Sequence, residues 1–443
     1  MRLSVFCSIQ KKTWEKNNEI ADLCLLRSHV WKLNMTKLYI MKPGKAKSYL
    51  FVIVILIACA GNSVSSQTTS TGFKKHVISS DFISEGVAVG DVNKDGKIDI
   101  LAGPSWFEAP DWKRHDIDTF KIYSAKTQYA RSFLNHCMDI NQDGWPDLIV
   151  MDFPGLSADW FENPGKKPGY WKKHRLFDYV GNESPAFKDV DGDGQDDIIC
   201  ADSKTNQMIW LQAPAKGDSV WKRFVVGKKN VQGTDIQGHG LGYGDLNSDG
   251  RKDIFTKDGW WEGPVDVKQN EWIFHPADIG EDCSQMQVLD VNADGLPDVV
   301  SASAHRYGIW WHPQYKDDDG NRAWDHYTLS FSTSQTHATE MADFNGDGNP
   351  DIVTGKRYFA HLERLNPSNK TTIDPGTYEK PTLYWFELTP GKKPYWIEHE
   401  IDNDSGIGIN IEAKDITGDG KPDIIIANKH GIFFFENTME WKK

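Results

Sequence analysis

Four oxygen-bearing side chains stand at positions 1, 3, 5 and 9 of a short acidic cassette, and this chain writes the cassette seven times. The copies carry Asp91, Asn93, Asp95 and Asp99; Asp139, Asn141, Asp143 and Asp147; Asp189, Asp191, Asp193 and Asp197; Asp245, Asn247, Asp249 and Asp253; Asp290, Asn292, Asp294 and Asp298; Asp343, Asn345, Asp347 and Asp351; and Asp415, Thr417, Asp419 and Asp423. Donors at alternate positions can converge on one hard cation. The glycine at position 6, Gly96 in the first copy, permits the left-handed backbone that wraps such a loop, and position 9 closes the shell. All-oxygen donors without His or Cys favour Ca²⁺ over zinc or copper, so up to seven structural Ca²⁺ ions are expected. One copy would read equally well as an Asp/Gly turn without metal; seven in register favour the metal. Thr417 predicts weaker binding in the last copy.

A second chemistry lies in the histidines. Of 14, His29 is near the N-terminus, His312 lies on an aromatic run, and His76, His115, His174, His275, His326 and His399 recur at one place in the repeating unit. Subtracting these leaves His136, His239, His305, His337, His361 and His430. His136, His239 and His337 come shortly before a cassette; the other three follow the apolar run after one. Polar residues share those places: Glu85, Asn135, Glu183, Gln285, Glu340, Asn410 and Glu412 ahead of cassettes, and Asp152, Asp202, Lys257, Asp258, Arg306, Lys356, Arg357 and Lys429 after them.

The elements that must hold these groups are strands. Each cassette leads into an apolar run such as Ile-Leu-Ala at 100–102, then an aromatic run such as Trp106-Phe107-Glu108, then a segment resembling Trp-x-x-His, as in Trp112 to His115. An EF-hand would flank its loop with helices, so this loop joins strands instead. Short strands with turn signals between them, repeated seven times, describe an all-β, seven-bladed β-propeller with four-stranded blades. Phe73-Lys-Lys-His76 has no blade of its own, and the last aromatic run has no outer strand after it. The N-terminal strand is therefore expected to complete the last blade and remove the open edge. Most of the 18 Trp fall on these strands, where packing between blades is expected. Around a blade, the places before the first strand and after the second share one face, opposite the calcium loops. A ring of non-repeating His, carboxylate, Lys and Arg there is what a binding or catalytic site looks like, and it could hold a zinc-class ion, although no local His-x-x-x-His spacing supports that. Cassettes are 45 to 56 residues apart except for the 72 between Asp343 and Asp415; the excess follows His361 and is expected to overhang this face.

Lys42, Lys45 and Lys47 precede an apolar run, Tyr49 to Ala58, too short for a comfortable membrane span. Leu56-Ile57-Ala58-Cys59 resembles a bacterial lipoprotein signal with Cys59 lipidated; the other reading is secretory cleavage near Ser66. Both predict an exported protein of the bacterial cell envelope, periplasm or exterior. Translation starts at Met1, Met35 or Met41. The expected organisation is a leader over 1–58, a tether over 59–72, the ring over 73–437 and a tail over 438–443. The formal charge of −13 becomes −20 once the +7 of residues 1–58 is removed, and this acidity is mostly ligand charge that argues against a nucleic-acid partner. Cys137, Cys200 and Cys283 are too few and scattered for a disulfide framework.

The cassettes and strand rhythm resemble the FG-GAP/VCBS repeat propellers, which include the integrin α-subunit head. That resemblance implies calcium in the loop between the first and second strands of each blade, on a scaffold used for adhesion, sugar binding and lyase chemistry alike. Gly238-His239-Gly240, Ser303-Ala304-His305 and the Gly355-to-His361 segment resemble exported propellers similar to the propeller part of aldos-2-ulose dehydratases. That second resemblance implies a metal-assisted elimination on a sugar, with catalytic roles sought among His136, His239, His305, His337, Lys356, Arg357, His361 and His430. The alternative is a non-catalytic module that binds a glycan or a protein with the same rim. The expected partner is a carbohydrate or small sugar, with a protein ligand as the other reading, and a membrane is reached only through a lipid on Cys59.

Overall fold

The computed structural model describes residues 72–231, 233–283, 285–361 and 374–441. The leader, Cys59, the tether up to residue 71, the first part of the segment after His361, and residues 442–443 of the tail lie outside the described residues. Among the described residues there is no helix, and seven four-stranded antiparallel sheets form a propeller.

Blade 1 sets the pattern: Ala88–Gly90 innermost, then Asp99–Ala102, Ser105–Glu108 and Lys113–Asp116 outermost. The last blade takes Ile411–Lys414, Asp423–Asn428 and Gly431–Asn437 from the C-terminal end, and Phe73–Ser79 pairs antiparallel with Gly431–Asn437 as its outer strand. The register runs from Phe73 opposite Asn437 to His76 opposite Phe434, so the N-terminal strand closes the ring as its position in the sequence predicted. Blade 5 adds a hairpin, Gln314–Lys316 with Arg322–Trp324, before its outer strand Tyr327–Ser334.

The core lies between blades. Ile199 and Trp210 of blade 3 pack with Ile254 and Trp261 of blade 4, and Val89, Ile100 and Phe107 of blade 1 pack with Ile425, Ile432 and Phe434 of blade 7. Trp160, Trp210 and Trp261 are buried, which places them in packing rather than on a sugar-facing surface.

The recurring histidines have a recurring job. His115 stacks on Trp106 with ring centroids 4.2 Å apart, and its Nε2 lies 2.7 Å from Glu108 Oε2 at the end of the neighbouring strand. The same stack-and-carboxylate arrangement holds His174 on Trp160 and Glu162, His275 on Trp260 and Glu262, His399 on Trp385 and Glu387, and His76 on Phe434 and Glu436. Blade 5 departs: His312 stands where the others carry Glu, with Nδ1 2.7 Å from His326 Nδ1 and Nε2 on Ser301 Oγ. Burial, with His326 beside it, pushes His312 down to about 3.

The cassette carboxylates are tied to their own loops. Asp91 accepts the Asp95 and Gly96 N–H groups, and Asn93 Oδ1 accepts that of Asp95. Asp99 is fully buried, with Oδ2 taking the Val92 N–H and Oδ1 the Ala109 N–H beyond the third strand. All seven ninth-position residues repeat this bridge, from Asp147 (Ile140, Asn163) to Asp423 (Ile416, Asn437). Position 9 therefore clamps the cassette to the turn after the third strand, a structural duty its spacing alone does not announce. In the third copy, where position 3 is also Asp, donor oxygens of Asp189, Asp191 and Asp197 lie within 4.8 Å of one another.

Candidate functional site

Opposite the cassettes, four of the six non-repeating histidines converge. His239 precedes the innermost strand of blade 4, Gly242–Gly244, and His337 precedes that of blade 6, Thr339–Ala342. His305 lies between the blade 5 strands Asp298–Ala302 and Tyr307–His312, and His361 follows the blade 6 strand Asp351–Gly355. Their ring centroids are separated by 4.5 Å (His239–His305), 4.8 Å (His305–His361), 5.4 Å (His239–His337) and 6.3 Å (His337–His361).

Local backbone explains the convergence. The innermost strand of blade 3, Val180–Lys188, has a register shift between Gly181 and Ala186. Within it, Asn182 N–H donates to Ile236 O and Glu183 N–H to Gly238 O, which brings Glu183 beside His239. Gly240 follows at φ +81°, a conformation that costs a glycine little. Blades 5 and 6 are stitched by Thr336 N–H to Ser303 O and by Arg357 N–H to Gln335 O, which carries His337 towards His305. Asn182, Gln335 and Phe359 all hold positive φ (55°, 56° and 47°), a strained backbone of order 1 kcal/mol or more at each that the packing must impose.

The inner group is buried. His239 Nε2 stands 3.4 Å and His337 Nε2 3.9 Å from Glu183 Oε2, yet all three atoms are buried without a hydrogen-bond partner. Apart from indole nitrogens, nine described residues hold an unsatisfied buried polar atom, and six of them (Asn182, Glu183, His239, Thr336, His337 and Arg357) belong to this site or adjoin its members in sequence. Unsatisfied buried groups cost about 1–3 kcal/mol each, so their concentration here marks a place built to receive something.

Charge is arranged to match. Burial would raise Glu183, but His239, Arg357 and His361 hold it down to about 2, so it is ionised. Burial, with Arg357 and His239 alongside, keeps His337 well below its ordinary range and neutral, the form that ligates metals. Arg357 bonds Glu85 through Nη2 and lies 3.5 Å from Glu183 through Nη1. Lys429 donates to Phe359 O and sits 4.3 Å over the Tyr129 ring, and burial brings its amine down to about 7. Lys356 contacts Ser334 and Gln335 and donates to Gly376 O; burial lowers it to about 8.

The outer group faces the mouth. His305 Nδ1 and His361 Nδ1 approach one oxygen, Asp374 Oδ2, at 3.4 and 2.5 Å, with the two rings within 6° of parallel. Asp374 belongs to the extra segment of blade 6. Sequence reasoning marked that segment as overhanging this face without assigning Asp374 a role. Glu85, Glu183 and Lys429 were marked as polar neighbours only; their positions ahead of or after strands were the available signal.

His136 and His430 are not brought to this cluster. His136 lies within the strand Leu134–Met138, stacks on Phe187 at 4.0 Å and bonds Asp196 beside the third cassette. It therefore lines the central channel, a cavity of about 300 Å³ shared with Lys188, Tyr243, Glu340 and Glu412. His430 meets the Tyr358 ring edge-on at 4.2 Å, and burial lowers its pKa. Asn135, Gln285 and Asn410 spend their amides on backbone groups of other blades.

Residues 139–200, 189–256 and 290–354 each match the family model described as an FG-GAP-like repeat. Residues 139–256 and 290–354 thus carry FG-GAP-like repeats. No curated protein matches the chain. Among solved structures, the chain is similar to rhamnogalacturonan lyase YesW, at 10% identity and a TM-score of 0.41 over 84% of this chain and 73% of that one. It is also similar to the Bacillus licheniformis rhamnogalacturonan lyase PL11, at 11% and 0.41 over 83% and 73%. A third likeness is to BBS1N in complex with ARL6DN, at 9% and 0.45 over 82% and 96%. At these scores the likenesses say nothing about a site or a substrate.

Proposed function

We propose that this FG-GAP-repeat propeller is an exported, calcium-braced enzyme whose His-rich mouth holds a zinc-class divalent ion through Glu183, His239 and His337 and removes a substituent from a carbohydrate by β-elimination. The observation that carries the reading is the inner triad: one ionised carboxylate and two imidazoles, all buried, with three donor atoms turned on one another and none hydrogen-bonded. Two nitrogens and one oxygen are a catalytic-zinc donor set with a position left open. When bound, such an ion polarises a carbonyl or carboxylate oxygen and stabilises the negative charge that grows as the adjacent proton leaves.

The chain's own groups supply the rest. Arg357, fixed by Glu85, orients Glu183 and so spends its charge on a ligand rather than on an oxyanion. Lys429, with its amine near 7, can take a proton at neutral pH. The unsatisfied Asn182 amide and Thr336 hydroxyl are partners of the kind sugar hydroxyls need. The carbohydrate class comes from the resemblance of the His segments, and export from the leader.

The test is metal analysis of the untagged mature protein with turnover on keto-sugar and uronate substrates, followed by ultraviolet absorbance of the unsaturated product. We expect a non-calcium ion and product, both lost in His239→Ala with the ring still folded. Calcium alone and no product would favour the non-catalytic glycan- or protein-binding module, which glycan-array binding would then register.

A further inference from the structure

We propose that the mouth holds two cations, the second seated between His305, His361 and Asp374. This rests on the reading above and extends it from one ion to a pair.

Each group is two imidazoles and one carboxylate, and in each the donor atoms lie within 4.8 Å of one another. Ligands about 2.1 Å from a tetrahedral ion stand about 3.4 Å apart. That spacing is found in the inner group between His239 and Glu183 and in the outer group between His305 and Asp374, both 3.4 Å. The shorter approach of His361 to Asp374, 2.5 Å, is a hydrogen bond that an ion would open and replace. The groups share a wall, His239 touching His305 at 4.5 Å between centroids.

The outer carboxylate is delivered on a firm arm. Thr377 N–H and Oγ1 both donate to Asp374 O, Gln335 Nε2 donates to Thr377 Oγ1 at 2.8 Å, and Tyr307 OH donates to Glu379 Oε1 at 2.6 Å. A lengthened blade that ends by pinning one carboxylate onto two parallel imidazoles reads as the delivery of a ligand. The side chains of His305, His361 and Asp374 keep 29%, 33% and 16% of their exposure, against 8%, 1% and 8% for His239, His337 and Glu183. The outer ion would thus exchange more readily than the inner one. The competing arrangement makes Asp374 a positioning residue that only orients the two imidazoles.

The experiment is zinc stoichiometry by mass spectrometry on untagged full-length mature protein, stripped by chelator, reloaded with zinc and calcium, and desalted. We expect wild type to carry one zinc more than Asp374→Ala and one more than His361→Ala, with each variant keeping the inner zinc and the wild-type melting temperature. Manganese-loaded wild type should show a spin-coupled resonance that both variants lack. Equal zinc in wild type and Asp374→Ala would overturn the second site. Loss of every zinc in Asp374→Ala would overturn it too, leaving one ion and an orienting carboxylate. Absence of zinc from wild type would sink the one-ion reading with it, so the two failures are distinguishable.

Discussion

Two populations of histidine share this ring and behave oppositely. His115 and its four counterparts each have an aromatic face to lie on and a glutamate to bond. His239 and His337 sit as deep as any of them, yet each leaves Nε2 without a partner. One stack and one glutamate satisfy the recurring histidine in five blades, whereas His239 and His337 each leave Nε2 unpartnered. The difference separates residues whose polar atoms the fold satisfies from residues whose polar atoms it does not, and on the reading proposed above the second kind are ligands.

The comparison breaks most readily at the metal. His239→Ala should lower turnover on the order of a hundredfold or more and remove the inner ion while leaving the melt near wild type. His115→Ala should do the reverse, costing about 1–2 kcal/mol of stability with metal content and turnover intact. Equal effects of the two substitutions on activity would erase the distinction.

Calcium gives the next largest effect. A loop filled at a hundred times its Kd adds about 2.7 kcal/mol, so chelation should lower the melting temperature steeply, and an unchanged melt would remove calcium from the cassettes. The pH dependence sharpens this. Burial raises Asp99, Asp253 and Asp423 to about 6 and Asp147, Asp197 and Asp351 to about 7. Folded carboxyls that bind protons more tightly than unfolded ones stabilise at low pH and lose that contribution as pH rises through 6–7. Chelated protein should therefore melt higher at pH 5.5 than at 7.5, and calcium should shrink or reverse the difference. His312 works the other way: neutral when folded, it removes about 1.4 kcal/mol per pH unit below 6.5. Six raised carboxyls outweigh one histidine, and His312→Asn should widen the gap slightly.

The smallest effect concerns the thiols of the lattice. Burial pushes Cys283 up to about 12 and raises Cys137 and Cys200 as well, so none should alkylate in the folded state at pH 8. Ready labelling of one would show its blade opening.

The fold was legible because the same physical problem is solved seven times, and cassettes, aromatic runs and outer histidines each report it. Subtraction found His239, His305, His337 and His361, since a residue absent from the other blades answers to something other than the blade. It could not find Asp374, which lies in a segment with no counterpart to subtract. His136 and His430 are as singular in the sequence but stand apart from this cluster, with neighbours of their own, Phe187 and Asp196 for one and Tyr358 for the other. The second duty of Asp99 was hidden for the opposite reason: a clamp and a ligand at one position leave the same letter.

The strand Phe73–Ser79 is made before any blade and paired after all of them, its His76 meeting Glu436 across 360 residues of chain. Folding in this molecule thus has a fixed last act. Blades 1 to 6 can form from local contacts as they emerge, but blade 7 keeps a bare edge until the first strand returns to it. Contacts of such separation are the slowest to form. During that interval the exposed edge of Gly431–Asn437, rich in Phe, is where a second chain could insert its own first strand, so that rings exchanging their leading strands are the expected product of refolding at high concentration.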